Sequence, residues 1–309
     1  MSNRIDLPHL ISIKQLNRDT IDLILTTATE LQATILAKKA ISSALQGKVI
    51  ANLFFEPSTR TCNSFTIAAK RLSALTITPH LPSSSLLKGE SLLDTVRSLA
   101  AMGVDAFIIR HAENGILSWL AENLNAPTHI ISAGEGWTQH PSQALLDLFT
   151  ISQYKSHWRS LSVAIVGDLR HSRVSRSLID ALTLMGVEDI RLVCPDVLAP
   201  ETDVYATTRV FNTLAEGIHK VDVIVCLRLQ KERMQQEHFI NEIEFHQQFG
   251  ITADKLKGAK PDVIVMHPGP MNRNIEISSE VADGPHAVIL KQIYNGVAIR
   301  MALLKLLLS

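Results

Sequence analysis

Phe54–Leu72 reads FFEPSTRTCNSFTIAAKRL, and this stretch predicts a strand that turns directly into a helix. The apolar run Val49–Phe55 has the composition of a buried strand. Ser58 and Thr59 follow it, and both are residue types that commonly begin helices. The unpaired N–H groups of a helix start, together with the helix dipole, form a favourable position for an anion. Arg60 adds a planar set of donors, so the stretch predicts a phosphate site.

Spacing alone leaves a second interpretation of this stretch open. An ordinary capped helix with Arg60 in solvent would show the same order of residues, since turns rich in Ser and Thr are common between strands and helices. Motifs elsewhere in the chain are needed to distinguish a phosphate site from an ordinary capped helix.

Composition excludes several classes of protein. The chain has 309 residues, which suggests two domains, and it is 46% apolar and 19% charged, enough to fill real cores. Its 30 basic residues balance its 30 acidic ones, which argues against a nucleic-acid surface. The cysteines are three, far apart and without a CxxC pair, so no metal site or disulfide framework is predicted. The first residues lack the apolar run of a signal peptide and no segment is long enough to span a membrane, so we expect a cytoplasmic protein.

Strand-like and helix-like runs alternate along the chain after an amphipathic first helix near residues 21–35. Near-continuous apolar strands that alternate with helices predict parallel sheets covered on both faces. A polar stretch at 156–160 separates two such series. The predicted fold class is therefore α/β with two doubly wound domains, each a parallel sheet flanked by helices.

Ligands of open parallel sheets bind at the carboxyl ends of the strands, so the residues that follow the strands are the candidates for a site. Four predicted strands are followed by polar or proline-containing residues: Arg110, Asp168, Arg228 and His267-Pro268. His140 and Gln143 lie three residues apart at a helix start opened by Pro141, so they share one face. On pattern alone these residues could equally be strand-end ion pairs and helix caps.

Three further motifs carry candidate residues. Ser84–Glu90 reads SSLLKGE, where Lys88 is either a solvated loop lysine or a point charge for phosphate. Val166–Leu178 reads VGDLRHSRVSRSL, which lacks the three spaced glycines of a nucleotide-binding turn. Cys226–Arg233 reads CLRLQKER, in which Arg228 and Gln230 alternate onto one face of an extended segment.

Together these motifs resemble those of the aspartate/ornithine carbamoyltransferase superfamily, and of its aspartate branch in particular. FFEPSTRT resembles the carbamoyl-phosphate motif, HPSQ resembles the HPTQ signature, and RLQKER resembles the aspartate-side motif. A guanidinium at Arg228 suits a dicarboxylate acceptor, and the HCLP motif of the ornithine branch is absent from the sequence. The resemblance implies transfer of a carbamoyl group from carbamoyl phosphate to L-aspartate early in pyrimidine synthesis, with no metal or other cofactor.

The resemblance also implies a role for each site residue. Those expected to bind carbamoyl phosphate are Ser58, Thr59, Arg60, Thr61, Ser84, Lys88, Arg110, His140 and Gln143. Those expected to bind aspartate are Lys88, Arg173, Arg228, Gln230, Pro268 and Gly269. Catalysis is expected to depend on Arg60, Thr61, Lys88, Arg110 and His140.

Domain organisation and partners follow from the same resemblance. Residues 1–140 with a returning C-terminal helix at 288–309 would bind carbamoyl phosphate, and residues 150–287 would bind aspartate. The chain is expected to form a homotrimer with shared active sites, in which Ser84 and Lys88 serve a neighbouring chain, and a regulatory or dihydroorotase-like chain could bind as well. No nucleic-acid or membrane partner is expected.

The sequence departs from the family pattern at several positions. Cys62 and Thr66 stand where relatives usually have Arg and Glu, so both halves of a plausible ion pair at i and i+4 are replaced. Leu87 stands where many relatives have a second lysine, and Asn274 stands where they often have Gly. Two alternatives stay open: a carbamoyltransferase with another acceptor amino acid, and an inactive amino-acid-binding subunit.

Overall fold

The computed structural model describes residues 4–37, 42–81, 88–200, 208–234 and 240–309. The chain divides into two compact units, Met1–Leu146 with Tyr294–Ser309 and Asp147–Ile293. Each unit holds one parallel sheet, and the division falls inside two long helices. The polar stretch at 156–160 lies within the second unit.

The first unit is built on a five-stranded parallel sheet with the order β1-β5-β4-β2-β3. Its strands are β1 His9–Leu10, β2 Val49–Phe54, β3 Leu75–Ile77, β4 Ala106–His111 and β5 His129–Glu135. Its helices are α1 Arg18–Leu36, α2 Thr59–Arg71, α3 Leu92–Ala101, α4 Ile116–Asn123 and α5 Pro141–Ser152, the last of which continues into the second unit. Both faces of the central strands are buried, as expected for an all-parallel sheet.

The core of this unit follows the two-residue period of its strands. On β2 and β4, Leu53 and Phe107 point to the face covered by Val96 and Leu117 of α3 and α4. Alternation predicts this arrangement, because successive side chains of a strand point to opposite faces.

The second unit holds a five-stranded parallel sheet with the order β10-β9-β6-β7-β8. Its strands are β6 Ser162–Val166, β7 Asp189–Val193, β8 Arg209–Phe211, β9 Val223–Cys226 and β10 Ile264–Met266. Its helices are α6 Arg173–Leu184, α7 Leu214–Gly217, α8 Glu242–Phe249, α9 Ala253–Leu256 and α10 Ser279–Ala282. The predicted fold class is confirmed.

The last helix, α11 Ile289–Leu308, returns to the first unit from Tyr294 onward. There the Asn295 side chain accepts a hydrogen bond from Gln32 of α1 at 2.6 Å, between two buried residues. Arg300 places its guanidinium carbon 5.0 Å from the ring centre of Phe65 on α2. The predicted return of this helix is confirmed. Among the described residues, no helix combines the length and apolar character needed to cross a bilayer.

Candidate active site in two halves

Three neighbouring strands of the first sheet end at one edge and carry the predicted carbamoyl-phosphate residues. The strands β5, β4 and β2 are adjacent and parallel, with Phe54 opposite Arg110 and His111 opposite Glu135. The α2 start therefore follows β2, Arg110 ends β4, and His140 follows β5. This edge is where open parallel sheets bind ligands, and we call it the phosphate half-site.

Helix α2 begins without a capping side chain. Ser58 is its N-cap residue and has extended backbone angles, but its hydroxyl does not cap the helix. By contrast, Ser91 caps α3 by accepting from the Asp94 N–H at 3.1 Å. The first N–H groups of α2 are thus not satisfied by the cap residue, which favours an anion at this end. Thr59 and Arg60 are exposed there, whereas Thr61 is buried.

Arg110 is held beside this helix start. Its Nε lies 3.3 Å from Oε2 of Glu56, a residue of the turn between β2 and α2. Its Nη1 donates to the Ala133 carbonyl on β5, at 3.4 Å. The side chains of Arg110 and Glu56 are only 16% and 18% exposed, so the guanidinium is fixed where three strand ends meet. A group oriented in this way can stabilise negative charge without reorganisation.

His140 and Gln143 form the third part of the phosphate half-site, and both are buried. The His140 carbonyl accepts from the N–H groups of Gln143 and Ala144 at 3.0 and 3.2 Å, so His140 directly precedes the first turn of α5. Pro141 begins that helix, as its fixed φ favours. The spacing places His140 and Gln143 on the same side of the helix start.

Lys88 is exposed, at the end of the motif SSLLKGE. Ser84 and Leu87 lie outside the described residues.

The second sheet repeats this arrangement at the ends of β6, β9 and β10, which are neighbours. The loop after β6 leads to Arg173, the first residue of α6, which is buried. The loop after β9 carries Arg228 and Gln230, and the loop after β10 carries Pro268 and Gly269. We call this edge the carboxylate half-site.

A ring of hydrogen bonds joins two loops of the carboxylate half-site. Asp168 is fully buried and accepts from the N–H and Nδ1 of His171, at 3.1 and 2.9 Å. Its other oxygen accepts from the Gln230 N–H at 3.1 Å, and Gln230 Nε2 donates to the His171 carbonyl at 3.0 Å. The ring fixes the segment that precedes Arg173 against the segment that carries Arg228. It also engages one of the two N–H donors of the Gln230 amide.

Arg228 is oriented by an acidic residue four positions along the chain. Its guanidinium forms a two-point ion pair with Glu232, with Nη1 3.1 Å from Oε2 and Nη2 bound to Oε1. Burial alone would raise the pKa of Glu232, but the hydrogen bond and charge of Arg228 lower it below its ordinary value. Glu232 is therefore ionised at neutral pH and holds the guanidinium in one direction.

The loop after β10 is shaped for close approach by its backbone. Gly269 has φ of 68°, in the left-handed region that favours glycine, and Pro268 has no N–H to donate. Asn274 also has positive φ, 63°, so the turn tolerates Asn where relatives often have Gly.

Among the described residues, no cluster of three or more His, Cys, Asp or Glu side chains is arranged to hold a metal ion. The two half-sites instead present cations and hydrogen-bond donors. Each is suited to a small anion: the first to a phosphate, the second to a carboxylate.

Comparison with known proteins identifies the family. Residues 8–153 match the profile of the aspartate/ornithine carbamoyltransferase carbamoyl-P binding domain, and residues 159–307 match that of the Asp/Orn binding domain. The chain belongs to the aspartate/ornithine carbamoyltransferase family.

Two similar proteins in the family are named as aspartate enzymes. The aspartate carbamoyltransferase catalytic subunit of Coxiella burnetii is 49% identical over 300 residues, covering 97% of this chain and 96% of the relative. The aspartate transcarbamoylase of Trypanosoma cruzi, solved with carbamoyl aspartate and phosphate, aligns with a TM-score of 0.90 at 32% identity over 97% of this chain and 96% of that chain. The same enzyme solved with N-(phosphonacetyl)-L-aspartic acid aligns with a TM-score of 0.89 at 32% identity, with the same coverage.

The family departures in α2 are accommodated locally. Thr66 donates its hydroxyl to the Cys62 carbonyl at 3.0 Å and accepts from Asn52 Nδ2 at 3.1 Å. Asn52 also donates to Thr78 at 3.2 Å. Thr66 thus joins a neutral hydrogen-bond network that links α2 to β2.

Several residues of the half-sites were missed by the sequence analysis, chiefly acidic ones: Glu56, Glu232 and Glu276. Glu232 had a readable signal, since it lies four residues after Arg228, the spacing of an ion pair within one turn. Glu56 follows β2 where Arg110 ends the neighbouring strand, but which strands are neighbours is set by the sheet order. No pattern in the single sequence indicated that His171 or Glu276 belongs to the site.

Proposed function

We propose that this chain is an aspartate carbamoyltransferase, which transfers the carbamoyl group of carbamoyl phosphate to the α-amine of L-aspartate and yields N-carbamoyl-L-aspartate and phosphate. The observation that carries the proposal is the pair of cationic half-sites at the carboxyl ends of two parallel sheets. The Trypanosoma cruzi relative has been solved with carbamoyl phosphate and aspartate, the two substrates named here.

The phosphate half-site would bind carbamoyl phosphate. The N–H groups and hydroxyls at the start of α2 suit the phosphate oxygens, with the Arg60 guanidinium as a further donor. Arg110, fixed by Glu56, and the buried His140 suit the carbonyl oxygen, while the Gln143 amide oxygen can accept from the carbamoyl NH₂. Thr61, buried at the same helix start, supplies another hydroxyl for the carbonyl oxygen.

The carboxylate half-site would bind aspartate. Arg173 and Arg228 each suit one of its carboxylates, because a guanidinium binds a carboxylate through two parallel hydrogen bonds. Gln230 can accept from the substrate through its oxygen. The carbonyls of Pro268 and Gly269 suit the substrate N–H groups.

The chemistry requires no covalent intermediate on the protein. The unprotonated amine attacks the carbonyl carbon, a C–N bond forms, and the C–O bond to phosphate breaks in the tetrahedral intermediate. Donors from Thr61, Arg110 and His140 stabilise the oxyanion, and the departing phosphate takes the proton that the amine loses. Rate enhancement comes from orientation and from charges already in place.

An assay across acceptors tests the proposal. Purified protein is supplied with carbamoyl phosphate and, separately, aspartate, ornithine or no amino acid, and products are identified by mass spectrometry. We expect N-carbamoyl-aspartate only with aspartate. Citrulline as the main product would favour another acceptor class, and no transfer in the presence of measured phosphate binding would indicate an inactive binding subunit.

We also propose that the chain assembles as a homotrimer with shared sites, in which Ser84 and Lys88 complete a neighbour's phosphate half-site. Strand β3 lies at the edge of its sheet and exposes Leu75 and Ile77, beside the exposed Ile67 of α2. An apolar edge of this kind favours contact with another chain. Lys88 is exposed and can reach beyond its own chain.

Complementation tests the shared site. Arg60→Ala and Lys88→Ala chains should each be nearly inactive alone, and refolding the two together should restore a fraction of wild-type activity, because one interface of a mixed trimer pairs an intact Arg60 with an intact Lys88. Co-purification of the untagged variant with an affinity-tagged copy of the other verifies that mixed trimers form. Mixed trimers as inactive as the parents would place Lys88 in its own chain's site.

The domain assignment belongs to the same proposal: residues 1–140 with 288–309 for carbamoyl phosphate, and 150–287 for aspartate. The profile matching residues 8–153 is described as carbamoyl-P binding and the one matching residues 159–307 as Asp/Orn binding, which supports the assignment except for the C-terminal helix. A place early in pyrimidine synthesis, a cytoplasmic location and a regulatory or dihydroorotase-like partner are further expectations from the resemblance.

A further inference from the structure

A buried histidine and a buried glutamate shape the loop that follows β10. His267 and Glu276 lie at opposite ends of this loop, and their side chains are 0% and 1% exposed. His267 Nε2 lies 3.0 Å from Glu276 Oε1, and that oxygen also accepts from the Asn272 N–H at 2.5 Å. The carboxylate therefore binds two separate points of the loop.

The hydrogen bonds fix the protonation of His267. Its Nδ1 lies 2.8 Å from the backbone nitrogen of Gly269, which can only donate. Nδ1 therefore carries no proton, the ring proton is on Nε2, and Nε2 donates to Glu276. The carboxylate thus selects the one neutral tautomer that can accept from Gly269.

Three backbone N–H groups of the loop are consequently fixed. The His267 N–H donates to Oε1 of the buried Gln292 at 3.0 Å, and Gln292 donates in turn to Asp147 at 2.7 Å. With the N–H groups of His267, Gly269 and Asn272 bound and Pro268 lacking one, the carbonyls of Pro268 and Gly269 are among the groups of this described loop that remain for a ligand. Each is a dipole suited to an N–H or a developing positive charge.

The position of Glu276 is costly. Within the described part of the chain its Oε2 has no hydrogen-bond partner although the residue is buried, and a buried carboxylate with one unsatisfied oxygen is unfavourable. Burial and, to a smaller extent, the charge of Glu276 raise the pKa of the Cys226 thiol on β9. An apolar side chain at this position could not accept the hydrogen bonds from His267 and Asn272.

We propose that Glu276 is a positioning residue for carbamoyl transfer: through the His267 tautomer it holds the Pro268 and Gly269 carbonyls toward the N–H groups of the reacting substrates. The inference rests on the proposed function and names residues that the reaction itself does not touch. These carbonyls would stabilise the amine as it gains positive charge during attack.

Asparagine and glutamine variants of His267 each keep one of its two side-chain hydrogen bonds and remove the other. Asparagine can place an amide oxygen near the position of Nδ1 and keep the bond from Gly269, whereas glutamine reaches the position of Nε2 and keeps only the bond to Glu276. We expect His267→Asn to retain at least tenfold more kcat than His267→Gln. The opposite order would overturn the proposal.

Glu276 variants test the carboxylate itself. Glu276→Gln keeps an oxygen that can accept from both His267 and Asn272, so its kcat should stay within about threefold of wild type. Glu276→Ala should lower kcat more than tenfold while phosphate binding, measured by calorimetry, is unchanged. An alanine variant within threefold of wild type would overturn the proposal, and if that variant does not fold, the two His267 variants decide.

A spectroscopic readout separates this inference from the proposed function. Nitrogen-15 NMR of histidine-labelled protein reports the tautomer of each ring, with the His267 signals assigned from their absence in His267→Asn. We expect the Nε2–H tautomer in wild type and a changed tautomer in Glu276→Ala. An inactive wild type with the expected tautomer would contradict the proposed function and leave the positioning network standing, whereas an Nδ1–H tautomer in wild type would overturn the network whatever the activity.

Discussion

Arg228→Ala should impair the use of aspartate without impairing the binding of carbamoyl phosphate. A charge-assisted hydrogen bond contributes about 1.5–3 kcal/mol. Since about 1.4 kcal/mol corresponds to a factor of ten, losing this contact should lower kcat/KM for aspartate roughly 10- to 150-fold. The Kd for carbamoyl phosphate should change by less than about twofold, because Arg228 lies in the other unit from the phosphate half-site.

Glu232 makes the measured effect larger than the lost contact alone. In Arg228→Ala its carboxylate no longer has its partner and repels the incoming dicarboxylate. The double variant Arg228→Ala, Glu232→Ala should therefore recover part of the loss, and the difference between the single and double variants measures that repulsion.

Folding should survive both changes. Glu232 is 55% exposed and Arg228 25% exposed, and an ion pair this open to water contributes at most about 1 kcal/mol to stability. The matched control is Lys231→Ala in the same RLQKER run, whose lysine pairs with Glu242 at the surface. It should change kcat/KM less than about twofold.

Steady-state kinetics with each substrate varied, together with calorimetry for carbamoyl phosphate, give all the quantities needed. Equal losses for the two substrates in Arg228→Ala, or an unchanged kcat/KM for aspartate, would refute the assignment of Arg228 to the carboxylate.

Three further predictions concern stability and reactivity. Gly167→Ala should destabilise the folded protein more than Gly186→Ala in urea unfolding. Both glycines have positive φ, which costs an alanine about 1–2 kcal/mol, but only at Gly167 would the added Cβ lie 2.4 Å from the Leu227 carbonyl oxygen. Equal unfolding midpoints would contradict this prediction. Burial opposes ionisation of Asp189, yet hydrogen bonds from Arg191, Ser162 and Arg209 lower its pKa well below the ordinary value. The carboxylate therefore contributes to folding stability above about pH 4, and this contribution is lost as pH falls. Asp189→Asn should flatten the acid side of the curve of unfolding free energy against pH, and an unchanged slope would contradict this. Burial raises the pKa of the Cys194 thiol to about 12 and that of the Cys226 thiol still higher. In the native protein only the partly exposed Cys62 should therefore react readily with a disulfide reagent. Fast reaction of all three thiols would contradict the packing.

The sequence predicted the strands and helices that carry the site because their signals are local. The start of α2 is an example: an apolar strand, a proline and a run of hydroxyl residues lie within a few positions, and the helix begins at Thr59. Two of the short strands were not predicted. Leu75–Ile77 and Arg209–Phe211 are edge strands of three residues each, too short to show a period.

What the sequence could not show is the set of contacts between distant segments. Asp168 and Gln230 meet because β6 and β9 are neighbours, and His267 meets Glu276 because the loop folds back. Such pairs depend on strand order and loop closure, which no spacing in a single sequence encodes. Acidic residues were missed for the same reason: a carboxylate beside a cationic site is recognisable only once its partner is known.

The central claim is that a bond forms between the carbamoyl carbon and the aspartate nitrogen, and isotope coupling observes that bond directly. Carbamoyl phosphate labelled with carbon-13 is mixed with nitrogen-15 aspartate and the purified protein, and the reaction is followed by NMR. The account predicts a carbon signal split by its new nitrogen neighbour, growing in step with free phosphate, and no such signal with labelled ornithine. Release of phosphate without carbon–nitrogen coupling, or coupling as strong with ornithine as with aspartate, would contradict it.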